Sequence, residues 1–324
     1  MKTKERLLEL FESNKGIYFS GEEIAQRFSL SRAAVWKAVK ALQSEGYEIS
    51  AVTNRGYCLS TGTDILSLQG IRKYLKPECL KMDISVLPTV KSTNTYVYEK
   101  AVSGLPEGFV VVSNEQTEGR GRYGRRFYSP GKSGIYMSLL LRPDKYTAKQ
   151  AVRITTMAAV AMCEAIEAVS ERKAQIKWVN DIYVDGKKVC GILTDASFSL
   201  ENGLLEYAVL GAGLNVYYPE GGFPEEISHV AGAVFEKAGS DVKNRLAAEF
   251  LNHFMEYYKA EDQCDYIEKY RTRCFVIGRR ITVNYGEKSR DALALGIDDA
   301  CRLLVQYDDG TEEYLLSGDI SISL

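Results

Sequence analysis

The chain has 324 residues, 45% of them hydrophobic, with a formal net charge of −2. That length holds two or three domains with real cores, and the balanced charge argues against a generally basic nucleic-acid binder, so any phosphate contact must come from a local patch. The seven cysteines are scattered and include no C-x-x-C pair, which argues against a disulfide framework or a zinc site and for a reducing compartment. The N-terminus runs into an amphipathic segment, so no signal peptide is expected, and no apolar run approaches a membrane span. The expectation is a cytoplasmic protein with no membrane partner. Only two histidines occur, His229 and His253, neither within a motif. Ser-His-Asp or Cys-His chemistry is therefore not expected, and the work falls to Arg, Lys and Asp.

In chain order, Leu7, Leu8, Leu10 and Phe11 share one face of a first helix. Ser20-Gly-Glu-Glu23 has the form of a capping box opening a short helix through Phe28. After the Ser29-Leu-Ser31 turn, Ser31 is placed to cap a third helix running to about Glu45, with Val35, Val39 and Leu42 on one stripe. Between Arg27 and Lys40 there are four cations and no carboxylate. Helix, short turn and basic second helix make a helix-turn-helix, whose second helix enters the major groove. Tyr47–Val52 and Tyr57–Leu59 read as a hairpin wing with Arg55 at its tip. The expected DNA-facing set is Ser31, Arg32, Trp36, Lys37 and Lys40 on the helix and Arg55 on the wing. Residues 1–62 would form this winged domain, and Ser60-Thr-Gly-Thr-Asp64 a linker.

From 63 to 272 the pattern is mixed. Val110–Val112, Ile135–Leu141, Gln175–Val184, Lys188–Ser197 and Leu205–Val216 read as strands, and Ala148–Val169 and Arg245–Tyr258 as helices. Asp185-Gly186 is a two-residue hairpin signal. Hairpins outnumber βαβ units, so an α+β domain on an antiparallel or mixed sheet is expected. After Arg273 come five short segments with strand character, 280–285, 292–298, 301–307, 312–316 and 320–324, which suggest a small barrel over 273–324.

Within the central region, Gly119-Arg-Gly-Arg-Tyr-Gly-Arg-Arg126 packs four arginines and three glycines into eight positions. Glycine lets backbone N–H groups approach an anion, and guanidinium groups neutralise phosphate or carboxylate. The spacing mimics a dinucleotide fingerprint, but that motif needs a helix next, and Phe127-Tyr-Ser-Pro-Gly131 breaks one. Gly131-Lys132-Ser133 ends like a P-loop, yet position 126, where that motif needs glycine, is arginine. The loop is read as an anion site.

A second constellation is Lys177-Trp-Val-Asn-Asp181, the Asp185-Gly186 turn and Lys188. Read as one strand, 177–181 puts Lys177, Val179 and Asp181 on one face, with Trp178 and Asn180 on the other. Together with Ser92-Thr-Asn94, Gln116 and the arginine loop, and Gly211-Ala-Gly-Leu-Asn215, this resembles the biotin protein ligases. With the winged helix it resembles their bifunctional bacterial type, ligase and repressor of biotin synthesis. The resemblance spans the whole chain in order. It departs from the family pattern at Val179, where proline is usual, and at Tyr123, where a second arginine is common.

The resemblance implies a winged helix-turn-helix, a central mixed-sheet ligase domain and a C-terminal SH3-like barrel. Biotin and MgATP would give biotinoyl-adenylate, and a lysine of a carboxylase's biotin carboxyl carrier domain would then take the biotinyl group. No dedicated protein cage for Mg²⁺ is expected, the ion riding on the ATP phosphates. Ser92, Thr93, Asn94 and Gln116 would hold the biotin head. Gly119, Arg120, Gly121 and Arg122 belong to the loop that closes over the adenylate, Phe127 would cover it, and Gly191 and Asn215 complete its binding set. Arg122 and Lys188 would stabilise charge at the α-phosphate, and Asp181 would orient or deprotonate the acceptor lysine. An adenylate-bound homodimer on operator DNA is implied too, with the glycine-rich loop mobile when empty. Two other readings fit the residues less well. A lipoate-type ligase fits the arginine loop and winged helix poorly, and a DNA-binding biotin sensor without ligase activity is at odds with retained Arg122 and Lys188.

Overall fold

Two serines start the second and third helices of the N-terminal region. In the computed structural model, which describes residues 2–143, 146–147, 150–199, 201–260, 264–285, 288–316 and 318–322, α1 spans Thr3–Glu12, α2 Gly21–Phe28 and α3 Arg32–Ser44. The Ser20 hydroxyl accepts from the Glu23 N–H and Ser31 from the Ala34 N–H, satisfying amides that a helix start leaves unpaired. Ser20 supplies its half of the expected box. Ser29, left-handed at φ 55°, ends α2 and makes the turn. Strands β1 (Ile49–Val52) and β2 (Gly56–Leu59) form the wing. Leu7, Phe11, Ile24, Val35, Val39, Leu42 and Leu59 close a core of their own, separate from that of the rest of the chain.

The central sheet has seven strands in the order β3-β4-β5-β9-β8-β7-β6. They are β3 (Asp83–Leu87), β4 (Phe109–Ser113), β5 (Gly134–Leu141), β6 (Ala174–Lys177), β7 (Asp181–Val184), β8 (Lys187–Phe198) and β9 (Leu205–Asn215). Only β3 and β4 run parallel, so the expected mixed sheet forms. Its middle strands are buried on both faces. Val110 and Val112 of β4 point to the layer containing α6 (Ala151–Val169) and α8 (Val242–Lys259). Phe109 and Val111 alternate to the other face, against Val97 and Ala101 of α5 (Thr93–Val102). Short α4 (Leu68–Arg72) and α7 (Glu225–Ser228) and the longer α9 (Cys264–Arg273) complete the helices described.

One expectation is corrected. Gln175–Val184 is not one strand: the chain reverses at residues 178–180, and Lys177 pairs antiparallel with Asp181. The alternation assigned to 177–181 therefore fails. The reversal is held from outside, because the Trp178 indole donates to the Cys301 carbonyl (3.1 Å) and the Asn180 carboxamide donates to the Ile192 carbonyl (2.7 Å). The Trp178–Val179 peptide is cis.

The expected linker, residues 60–64, is pinned. The Thr63 carbonyl accepts from Lys15, the Ser240 hydroxyl donates to the Thr61 carbonyl, and Asp64 accepts from the Tyr217 hydroxyl and the Lys243 N–H. The C-terminal strands β10 (Arg280–Tyr285), β11 (Lys288–Ile297), β12 (Leu303–Tyr307), β13 (Glu312–Leu315) and β14 (Asp319–Ile322) are hydrogen-bonded in the order β13-β12-β11-β10-β14. The five strands expected over 273–324 thus form one small antiparallel β-domain. Its inward side chains, Ile281, Val283, Ala292, Leu303 and Val305, belong to the same core as the central sheet.

Candidate active site and DNA-facing surface

The N-terminus of α5, the arginine loop, the β7–β8 hairpin and the middle of β8 and β9 converge on one cavity. Ser92 caps α5, accepting from the Thr95 N–H (3.4 Å), which leaves Thr93 and Asn94 in its first turn. The Gln116 carbonyl oxygen accepts from the Thr93 amide (2.8 Å) and hydroxyl (3.1 Å), and its NH2 donates to the Ser129 hydroxyl (3.0 Å). Asn94 and Thr93 both meet the buried Ser138 hydroxyl of β5. This corner is neutral and its hydrogen bonds are directed.

The opposite end is cationic. Arg120, Arg122, Arg125, Arg126 and Lys188 line the cavity, and Asp181 is the one carboxylate among the lining residues. The loop folds as a small hairpin, with Gly121 N–H donating to Arg125 O (2.7 Å) and Phe127 N–H to Gly119 O (2.9 Å). Residues 122–124 make one 3-10 turn, and Tyr123 is left-handed at φ 55°. Arg122 donates from one Nη to both Asn180 Oδ1 and the Gly318 carbonyl, each at 3.1 Å. The C-terminal sheet region thus holds the arginine loop directly.

Lys188 reaches the cavity through a bulge. Ile182 pairs with Cys190 but Tyr183 with Lys188, so one extra residue, Val189, is inserted and the strand twists. This brings Lys188 Nζ to 2.6 Å from Asp181 Oδ1. Cys190 next to it is fully buried and burial pushes its thiol far up, so it is no nucleophile.

Phe127 lies across two glycines that pair with each other, Gly191 on β8 and Gly213 on β9. A Cβ on Gly213 would stand 2.5 Å from the ring, and one on Gly191 3.2 Å. Of the residues expected at the site, Ser92, Thr93, Asn94, Gln116, Arg120, Gly121, Arg122, Phe127, Asp181, Lys188 and Gly191 line the cavity. Two are set back from it. Gly119 sits beneath the loop, close to Ser129 and the Phe127 carbonyl, and buried Asn215 donates to the Gly232 carbonyl (3.0 Å). Residues absent from the expected set are Asn180, Ser138, Gly213, Asp195 and Gly318. Asn180 and Gly213 stand inside quoted motifs; Ser138, Asp195 and Gly318 carry no signal in sequence.

On the N-terminal region, Arg32, Trp36, Lys37 and Lys40 of α3 are exposed on one side of the helix, opposite buried Val35, Val39 and Leu42. Exposed Trp36 is notable, since a monomer core would bury it. Ser31 is occupied as the cap. Arg55 is exposed on the wing and stacks over the Tyr18 ring at 4.1 Å, so it is braced there. No helix among the described residues is long and apolar enough to cross a membrane.

A neutral pocket adjoining a cationic, glycine-floored one, on a sheet flanked by a helix-turn-helix, defines a ligase fold joined to a DNA-binding module. The match to known proteins agrees. Residues 86–215 match the Biotin/lipoate A/B protein ligase family, residues 3–58 an HTH domain and residues 276–323 the Biotin protein ligase C terminal domain. The Bifunctional ligase/repressor BirA of Bacillus spizizenii is 33% identical over 98% of this chain and 97% of its own length. That of Escherichia coli is 27% identical over 95% of this chain and 94% of its own. Among solved structures, the biotin protein ligase from Aquifex aeolicus in complex with biotin and ATP is 25% identical with a TM-score of 0.62, over 74% of this chain and 98% of that one. The chain belongs to the bifunctional biotin protein ligase/repressor family and is a ligase enzyme.

Proposed function

We propose that the cavity forms biotinoyl-5′-AMP from biotin and ATP and passes the biotinyl group to a lysine of a carboxylase carrier domain, and that the adenylate also serves as corepressor. The observation carrying this reading is the polarity of the cavity, neutral and hydrogen-bonding at Thr93, Asn94 and Gln116 and cationic at the loop and Lys188. In the first step a biotin carboxylate oxygen attacks the α-phosphorus and pyrophosphate leaves. The carboxylate is already ionised, so no general base is needed; what is needed is stabilisation of charge on the phosphoryl oxygens. Arg120, Arg122 and Lys188 supply it. Magnesium carried on the triphosphate would offset part of its charge and, held mainly by phosphate oxygens, would ask for few protein ligands, which fits Asp181 as the single lining carboxylate.

In the second step the acceptor amine attacks the acyl carbon and AMP leaves. The amine's proton goes to Asp181, the one carboxylate lining the cavity, which Lys188 Nζ holds in place at 2.6 Å from Oδ1. Gly191 and Gly213 let Phe127 lie flat against the floor, and Asn215 supports the floor from behind. Ser92 fixes the biotin side by capping α5. We assign residues 1–62 to operator binding through Arg32, Trp36, Lys37, Lys40 and Arg55, with Ser31 setting the helix start. Residues 63–272 are assigned to catalysis and 273–324 to the sheet that braces the loop. An adenylate-bound homodimer would present two such helices to two half-sites, in the cytoplasm where the carrier is made.

The test is single-turnover adenylation with labelled biotin, followed by transfer to a carrier domain. Lys188→Ala should slow adenylate formation by ~10²–10³, and Lys188→Arg should rescue only in part, because a planar fork does not replace a compact charge. Normal adenylation in Lys188→Ala removes this residue from the chemistry.

A further inference from the structure

Behind the neutral corner of the cavity stands a carboxylate that no step above uses. Asp195 is a half-buried residue of β8, and it does not line the cavity itself. Its Oδ2 accepts from the Asn94 NH2 at 3.0 Å, and the same NH2 reaches the Leu193 carbonyl at 3.3 Å. On its other side, Asn94 Oδ1 lies 2.6 Å from the Ser138 hydroxyl, which also lies 2.8 Å from Thr93 Oγ1.

Counting hydrogens fixes the direction of this chain. A carboxylate only accepts, so the Asn94 amide must turn its NH2 to Asp195 and its oxygen to Ser138. That oxygen cannot donate, so Ser138 spends its single hydrogen on it. The contact between Ser138 and Thr93 then needs the Thr93 hydrogen; the alternative destination is Gln116 Oε1 at 3.1 Å. In either case Thr93 spends its hydrogen inside the protein. Its oxygen, on the cavity wall, has lone pairs alone to offer. We propose that Asp195 is a positioning residue that polarises the chain Asp195–Asn94–Ser138, keeping the Ser138 hydrogen off Thr93 and so leaving the Thr93 lone pairs free to select a substrate ring bearing N–H groups.

This rests on the reading of the corner as the site of the biotin head, whose ureido ring carries two N–H groups. It adds the residue that enforces the polarity. A glycine on β9 belongs to the device: a Cβ at Gly211 would collide with the Asn94 carboxamide, so only glycine leaves room for the amide to sit between Asp195 and Ser138.

The discriminating variant is Asp195→Asn. It keeps size and a hydrogen-bonding oxygen, but it can also donate, so only the longer contact to the Leu193 carbonyl (3.3 Å) still opposes a turn of the Asn94 amide. Once Asn94 turns, Ser138 gives its hydrogen to Thr93, whose own still goes to Gln116 Oε1, and a Thr93 lone pair that the ring N–H would use is taken. Steady-state kinetics on the full chain with ATP and a carrier domain should show KM for biotin raised about tenfold or more, the worth of one or two polar contacts. KM for ATP and kcat should stay within about twofold. The preference for biotin over its cyclic-carbonate analogue, in which both ring N–H groups are replaced by oxygen, should narrow. Asp195→Ala should raise KM for biotin as well, with an unchanged melting temperature showing that both variants fold. Asp195→Asn with wild-type KM for biotin and wild-type preference overturns the proposal, even if Asp195→Ala is impaired, because the residue would then be a mere spacer. A wild-type chain that adenylates no biotin would overturn the function reading itself, a failure visible before any variant is made.

Discussion

The two ends of the chain are joined to its centre by opposite means. The C-terminal sheet has no core of its own: Ile281, Val283, Leu303 and Val305 continue the core that contains Ile176, Trp178 and the residues of α6. The N-terminal winged region closes its own core and meets the centre through charges. Lys15, nearly buried, lies 3.1 Å from Asp241 and 3.1 Å from Glu12, and Lys73 lies 3.1 Å from Asp241 on the other side. A shared apolar core couples two units into one cooperative body, whereas a polar seam between two finished cores lets each keep its fold when the other is removed. The difference matches the roles proposed for the two ends, since one would steady the arginine loop and the other would serve a separate ligand.

The largest expected effect tests the shared core. Trp178→Ala removes a buried indole and its bond to Cys301, and should cost about 3–5 kcal/mol. Calorimetry should show the central and C-terminal sheets losing stability together in one transition. A C-terminal sheet that melts on its own would break the comparison.

Next in size is Arg122→Gly, which cuts the tie from the loop to Asn180 and Gly318 and removes a cation from the adenylate site. The chain should stay folded and release the intermediate roughly 10–100 times faster, as for the loss of charge-assisted hydrogen bonds. Label appearing on lysines of bystander proteins would report it. Retention equal to wild type would mean that the clasp to the C-terminal region does not hold the loop shut.

A chain beginning at residue 63 should keep adenylation within a few-fold of the full protein and lose DNA binding altogether. A folded remnant without ligase activity would show that the polar seam is more than a tether. Within the full chain, Lys37→Ala should flatten the log–log salt dependence of operator binding by about 0.9 for the one lost phosphate contact, and an unchanged slope would remove Lys37 from the interface.

The smallest effect sharpens the seam itself. Burial pushes the Glu12 carboxyl above its usual range, with Lys15 opposing. Burial pushes Asp241 the same way, but its bonds from Tyr74, Asn244 and Lys15 outweigh it and hold that carboxyl below the usual range. A raised carboxyl contributes stability that is present below its unfolded value and lost as pH rises through the folded one. A lowered carboxyl contributes stability present above its unfolded value and lost on acidification. The two therefore oppose each other across the acidic range. Glu12→Gln should leave the Asp241 contribution alone, so that melting of the variant weakens more steeply on acidification than that of wild type. Parallel pH profiles would mean that Glu12 does not titrate in the seam.

Much of the molecule was legible in sequence because the signals were local. A helix cap such as Ser31 needs only the amide three residues on, and the Asp185-Gly186 turn needs only its own left-handed backbone. The arginine loop announced an anion by composition alone. The element that failed was 175–184, read as one strand from its apolar alternation. Its reversal is enforced by Cys301 and Ile192, distant partners that no window contains.

What the sequence by itself determined, then, is the helix starts, the hairpin turns, the cationic loop and the exposed basic face of α3, each set by backbone chemistry or charge within a few residues. What only the tertiary structure decided is which groups face each other. It placed Gly318 on Arg122 across 196 positions and Asp195 behind Asn94 across 101, and it turned Val189 into a bulge that swings Lys188 onto Asp181. Hydrogen bonds reach only about 3 Å, so their partners are fixed by packing, and packing is a property of the whole chain.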